Sequence, residues 1–335
     1  MVLKYSPAYF LFLAVVAMTA SGCARNGDTD SGGSSTAGTA PTSSSQAPVD
    51  YGIPSARERF EIHRALIADK LQNSLLPAMR EHDIDMWIVL DRENNYDPVH
   101  EEIGGGYSGV RAAFIFYDDG GDTLEKIYYG SHAQPLNSVI NQVYDERIYY
   151  GYSADGLTTH VRKAVYDRDP QRIGVNTSPT LPEADGLTVG LKNFLVDAIP
   201  EYADRIVSAE LVVRDFRINR TELETEQYTK LLDWSARWME EALSTANVVT
   251  NETTAEDISW FLEDRAYELG LVGHGTVRVV REGELLPIHD PDITIQPGDI
   301  VAIDGGLEYL GYGIDIKRTA YVLHPDETVM SENLL

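Results

Sequence analysis

The stretch that decides the fold is Gln296-Pro-Gly-Asp-Ile-Val-Ala-Ile-Asp-Gly-Gly-Leu-Glu-Tyr-Leu-Gly-Tyr-Gly-Ile-Asp-Ile-Lys-Arg-Thr-Ala-Tyr-Val-Leu323. Two β-rich runs, 299–303 and 314–323, flank a centre of Gly and Tyr, which predicts a hairpin. Folding about the Tyr309–Leu310 bond would set Asp304 opposite Asp315. Cross-strand partners lie about 4.5–5.5 Å apart at Cβ, and like charges placed there weaken a sheet. The pair therefore calls for a compensating group, and a metal cation is the first candidate. A turn or cap role accounts for Asp304 ahead of Gly305-Gly306. It does not account for Asp315, which sits inside the β-branched run Ile314-Asp-Ile316. A paired-carboxylate glycosidase would also use two close acids, but the chain shows no aromatic sugar platform to go with them.

Around this hairpin the chain is long enough, at 335 residues, for two domains. Its 53 acidic residues against 27 Lys and Arg give a net charge of −26, which would repel a phosphate backbone and argues against nucleic-acid binding. The N-terminus reads as an export signal over 1–22: Lys4, an apolar run from Tyr9 to Met18, then small residues before the only cysteine, Cys23. Small residues ahead of a lone Cys resemble a bacterial lipobox. Cys23 is accordingly expected to carry a lipid and anchor an exported protein to the membrane, facing the periplasm or cell surface. From there to residue 54 the composition is that of a flexible linker.

Residues 55–216 alternate helix and strand patterns, which indicates an α/β domain. Met86-Trp-Ile-Val-Leu90 is a continuous apolar run expected to be a buried strand, and Asp118-Asp-Gly-Gly-Asp122 a turn between two further strands. Gly104-Gly-Gly-Tyr-Ser-Gly109 fits a dinucleotide fingerprint in letters only. It precedes a strand instead of opening a helix, so it is expected to be a loop. Residues 217–335 begin with two capped amphipathic helices, opened by Thr221 with Glu224 and by Thr254 with Asp257, and lead into the Asp-bearing hairpin. That order indicates an α+β arrangement. Two histidines precede the hairpin: His289 is placed to reach the Asp pair, and His274, in Gly-His-Gly, is the weaker candidate.

The hairpin, the helix–strand opening over Leu75–Leu90 and the junction Leu211-Val-Val-Arg-Asp-Phe-Arg217 together resemble the pita-bread metallopeptidases in their creatinase, prolidase and aminopeptidase P branch. The resemblance implies a creatinase-like N-terminal domain followed by an incomplete pita-bread catalytic domain. It implies Asp304 and Asp315 as metal ligands, and His289 as a catalytic, substrate-binding residue. It also implies two divalent ions, with Mn²⁺ best suited to oxygen donors and Co²⁺ or Zn²⁺ as alternatives. The activity implied is hydrolysis of a peptide substrate at Pro through a metal-activated water. In that family a His and two Glu complete the site beyond the point where this sequence stops, and Lys317 stands where a small hydroxyl residue is common. The chain as given is thus expected to be inactive, with a non-catalytic pita-bread binding module as the alternative. An incomplete sheet would expose unpaired edges and favour homodimers or aggregates.

Overall fold

Ser55 and Glu58 form a reciprocal capping box that starts the first helix, α1 (Ala56–Lys70). The structure, a computed structural model, describes residues 50–153 and 155–330; the expected signal segment, Cys23 and nearly all of the linker lie outside them. A π-helical turn, Leu71–Leu75, carries α1 into α2 (Leu76–Glu81). Pro77, which has no N–H to donate to the preceding turn, falls in the first turn of α2, directly after the π-helical turn.

The first sheet follows. Its elements are β1 (Met86–Asp91), β2 (Ala112–Tyr117), β3 (Glu125–Gly130), α3 (Ile140–Val143), β4 (Glu146–Tyr149), α4 (Gly156–Arg168), β5 (Ile173–Val175), α5 (Val189–Ala198), β6 (Ile206–Ser208) and α6 (Glu210–Ile218). Strand order is β4-β3-β2-β1-β5-β6. The β1–β2 and β2–β3 pairs are antiparallel, and β5 lies parallel to β1. The apolar run of β1 is buried on both faces. Trp87 and Val89 pack with Leu71, Leu75 and Phe216 on one side. Met86, Ile88 and Leu90 pack with Val161, Val165 and Leu195 on the other. A strand covered twice needs no polar alternation, which is why this one reads as a solid hydrophobic block. The glycine run 104–109 is indeed loop and turn.

The second sheet lies against α7 (Glu222–Ala242) and α8 (Ala255–Glu268), both opened by the capping boxes expected from Thr221 and Thr254. Its strands are β7 (Val272–Arg281), β8 (Glu284–Leu285), β9 (Ile300–Tyr309), β10 (Tyr312–Gly313) and β11 (Ile316–Tyr321). β9 is central, antiparallel to β7 on one side and to β10 and β11 on the other. Only one face is covered. Val277, Val279, Val301 and Ile303 meet Trp238 and Leu262 from the helices, while Thr276, Arg278, Lys317 and Thr319 on the other face are exposed. Gly273 belongs to the covered face because a Cβ there would come within 2.9 Å of both Ala266 and Trp238.

Both sheets belong to one compact unit. A buried ion pair ties the front of the chain to the hairpin: Lys70 of α1 reaches Glu224 of α7 at 3.0 Å, and both side chains are fully enclosed. Glu224 also accepts hydrogen bonds from the Thr221 backbone N–H and from the Tyr312 hydroxyl at the hairpin tip. The tip is therefore tied to two segments far from it in sequence, α1 and the start of α7.

Candidate metal and peptide site on the second sheet

The segment Gln296-Pro-Gly-Asp299 launches β9 through a turn in which the Asp299 N–H reaches back to the Gln296 carbonyl. Pro297 presets φ at the second position, and Gly298 takes φ of 90° at the third. The enclosed Asp299 carboxylate holds the Gln296 N–H and receives Arg281 Nε and Nη2 at 2.8 and 2.9 Å. This fork anchors the start of β9 to the end of β7.

The hairpin register differs from the sequence expectation. Tyr312 pairs with Tyr309, and Lys317, not Asp315, pairs with Asp304. The turn is centred on Leu310–Gly311, both with positive φ of 52° and 82°. Two such residues are the requirement of a tight two-residue hairpin turn, and Gly supplies the second at no steric cost. Asp315 consequently lies two places from the partner of Asp304, diagonal to it, in the unpaired stretch between β10 and β11. The ladder opens there because Ile314 turns inward over Gly306, where a Cβ would stand 2.0 Å from the Ile314 carbonyl oxygen.

The two carboxylates still converge, on an ammonium. Lys317 Nζ stands 2.8 Å from Asp304 Oδ1 and 3.4 Å from Asp315 Oδ1. Arg278 Nη2, from β7 on the other side, stands 3.2 Å from Asp304 Oδ2. Both oxygens of Asp304 are thus engaged by the chain's own cations. The hydrogen bond from Lys317, helped by the charge of Arg278, holds the Asp304 carboxyl below the usual carboxylate range. Asp304 in turn holds the Lys317 ammonium above its ordinary value.

These residues do not fit a resident divalent ion as arranged. Protein metal sites generally use three or more side-chain donors, and here two carboxylates share their oxygens with a Lys and an Arg. Two negative and two positive side chains leave the cluster neutral before any ion arrives. Among the described residues the three-donor cluster lies elsewhere, at Glu81, His82 and Asp215. There Asp215 is already held by His82 at 2.7 Å and Arg214 at 2.6 Å.

His289 sits in an exposed loop that borders a cleft of ≈ 390 Å³ between α8 and β7. Glu256, Ser259, Thr276, Ile288 and Asp290 also line it. The cleft reaches Thr276, the cross-strand partner of Asp304, but includes neither Asp304 nor Asp315. His274 pairs with Gly306 on β9, two places along from Thr276, so it shares the open face with Asp304. Arg278 drew no attention in the sequence. The period-2 alternation of Val272-Gly-His-Gly-Thr-Val-Arg-Val280, which puts His274, Thr276 and Arg278 on one face, is the signal that would have found it.

Residues 226–334 match the description Metallopeptidase family M24. No curated protein sequence matches the chain. Among solved structures, an X-Pro aminopeptidase from Thermotoga maritima MSB8 superposes with a TM-score of 0.55 at 17% identity, covering 77% of this chain and 67% of that one. Aminopeptidase P from E. coli in its low-pH form superposes with a TM-score of 0.50 at 13% identity, covering 81% and 63%. At such identities the likeness is one of fold, and the chain spans about two thirds of the length of these structures. Residues 226–334 are thus similar to metallopeptidase family M24, and over the part it covers the chain shares the fold of these aminopeptidase structures.

Proposed function

We propose that this chain binds peptides of the Xaa-Pro class on a peptidase scaffold and, with the residues described, does not hydrolyse them. The observation that carries the reading is the engagement of both Asp304 oxygens by Lys317 and Arg278. A carboxylate so occupied is a poor ligand for a catalytic ion. The cleft beside His289 has a lining suited to such a peptide. Glu256 and Asp290 offer carboxylates to an α-ammonium group, while Val277, Ile288 and Pro291 offer apolar contact to a proline ring.

A second reading, a metal-dependent Xaa-Pro aminopeptidase or prolidase, is favoured by the family match over 226–334 and by the placement of Asp304 and Asp315 on one face. It needs divalent ions, Mn²⁺ or else Co²⁺ or Zn²⁺, held by that pair together with further donors. Such ions supply Lewis-acid polarisation and a water of lowered pKa.

Calorimetric titration with an Ala-Pro peptide, paired with a hydrolysis assay in added Mn²⁺, Co²⁺ or Zn²⁺, separates the two. The expected result is binding weakened about tenfold or more by N-acetylation of the peptide, the order of one lost charge-assisted contact. His289→Ala should weaken it as well, and no turnover should be seen. Turnover that Asp304→Ala abolishes would overturn the first reading in favour of the second, and absence of peptide binding would remove the first outright.

A further inference from the structure

We infer that Lys317 is the built-in cation of the Asp304–Asp315 site, occupying with its ammonium the position between the carboxylates that a divalent ion would need. The inference deepens the proposed function by naming the residue that keeps the pair free of metal.

Three observations carry it. First, Lys317 Nζ lies within reach of an oxygen from each carboxylate, at 2.8 and 3.4 Å, and so is the group on which the two converge. Second, its place is set by register. Lys317 is the direct partner of Asp304 across the β9–β11 ladder, so its side chain rises from the same face as the carboxylate it neutralises. Third, Arg278 supplies the balancing charge from β7, on the remaining oxygen of Asp304. Two carboxylates need two positive charges, and the chain provides both. A divalent ion entering this cluster would meet no uncompensated negative charge. It would also have to displace an ammonium from the same oxygens, and like charges at such separations repel strongly.

The site is nevertheless one substitution from a different state. Lys317 is largely exposed, with a side chain 61% accessible, so nothing in the packing depends on its bulk. Removing its charge leaves two carboxylates facing one Arg, a net charge of −1, with the space between them opened. A threonine there would add a neutral oxygen on the same face.

Calorimetric titration of Mn²⁺ into the full chain tests this, with Lys317→Thr, Lys317→Arg and Lys317→Thr/Asp304→Asn as variants and circular dichroism to confirm that each is folded. The expected result is at least tenfold tighter Mn²⁺ binding in Lys317→Thr than in the unaltered chain. Lys317→Arg should show no gain, and the Asp304→Asn change should abolish the gain. Should Lys317→Thr not fold, Lys317→Gln, which keeps the length of the side chain, carries the same expectation. Two results would overturn the inference: Mn²⁺ binding by the unaltered chain that matches Lys317→Thr and is lost in Asp304→Asn, or a folded Lys317→Thr chain with no gain. Peptide binding at the His289 cleft is measured separately, so a failure of that reading and a failure of this one are told apart.

Discussion

The two sheets each bring a pair of carboxylates together, and they stabilise them in opposite ways. In the first sheet Asp91, at the end of β1, and Asp97, in the loop that follows, are both buried. Asp91 is held by the Asp97 backbone N–H at 2.7 Å, by His100 Nδ1 at 2.5 Å and by the Ser108 hydroxyl. Asp97 receives the Val99 N–H and the Asn176 side-chain amide. Desolvation, reinforced by the neighbouring Asp91 charge, pushes the Asp97 carboxyl up to about 6. In the second sheet Asp304 and Asp315 stand on an open face and are matched by long cationic side chains. A buried pair survives through fixed hydrogen bonds and, at Asp97, a raised pKa, and an open pair through exposed counter-charges. The first arrangement holds the fold together. The second leaves a site whose chemistry one residue can change.

The comparison breaks most visibly at Asp91. Asp91→Ala would leave three donors around it without an acceptor inside the molecule. It should cost about 4 kcal/mol of stability, the scale for removing one partner of a buried charged network. A urea midpoint that moves little would show that water reaches these groups and that the contrast with Asp304 is one of degree.

Asp97 sharpens the comparison through pH. Its carboxyl is raised in the folded chain above the ordinary 3.8, so the folded state holds the proton more tightly than the unfolded state between about 4 and 6. The contribution to stability is full below the ordinary value and is lost as pH rises through about 6. It should amount to about 3 kcal/mol across that window. Asp97→Asn keeps an acceptor oxygen for Val99 and Asn176 and removes the titration. Its denaturation midpoint, relative to the unaltered chain, should therefore rise between pH 4 and pH 7, and parallel pH profiles for the two would contradict the assignment.

What the sequence displayed and what it concealed follow the same division between covered and open surfaces. The solid block Met86–Leu90, the capping boxes at Thr221 and Thr254 and the hairpin at 300–321 are legible because each is a local pattern with a local cause. β7 is harder to see, since Gly273 and Gly275 look like loop residues until Trp238 and Leu262 are known to pack against them. A turn centred on Tyr309–Leu310 shifts the register by two from the observed one, and Gly311 at the second turn position is the local clue to the correct centre. Asp91 and Asp97 carry no motif at all. His100 comes from the same loop as Asp97, but Ser108 lies further along it and Asn176 arrives from beyond β5, a meeting that no spacing along the chain records. The same holds for Arg278, which reaches Asp304 only because β7 lies beside β9.

The smallest effect is expected at the candidate site itself. Asp304 contacts Lys317 and Arg278, both substantially exposed, and ion pairs of that kind contribute little because solvent and salt screen them. Asp304→Asn should therefore shift the thermal midpoint at neutral pH by no more than about 2 °C. The sign at low pH is also fixed. The Asp304 carboxyl is held below its ordinary value, so its contribution is present above that value and disappears as pH falls through the lowered one. The unaltered chain and Asp304→Asn should thus converge in strong acid. A large loss at neutral pH would mean that the open face is covered in solution, by a second copy or another chain. Asp304 would then belong with the buried carboxylates of the first sheet, and the freedom of the second site to change with one residue would be lost.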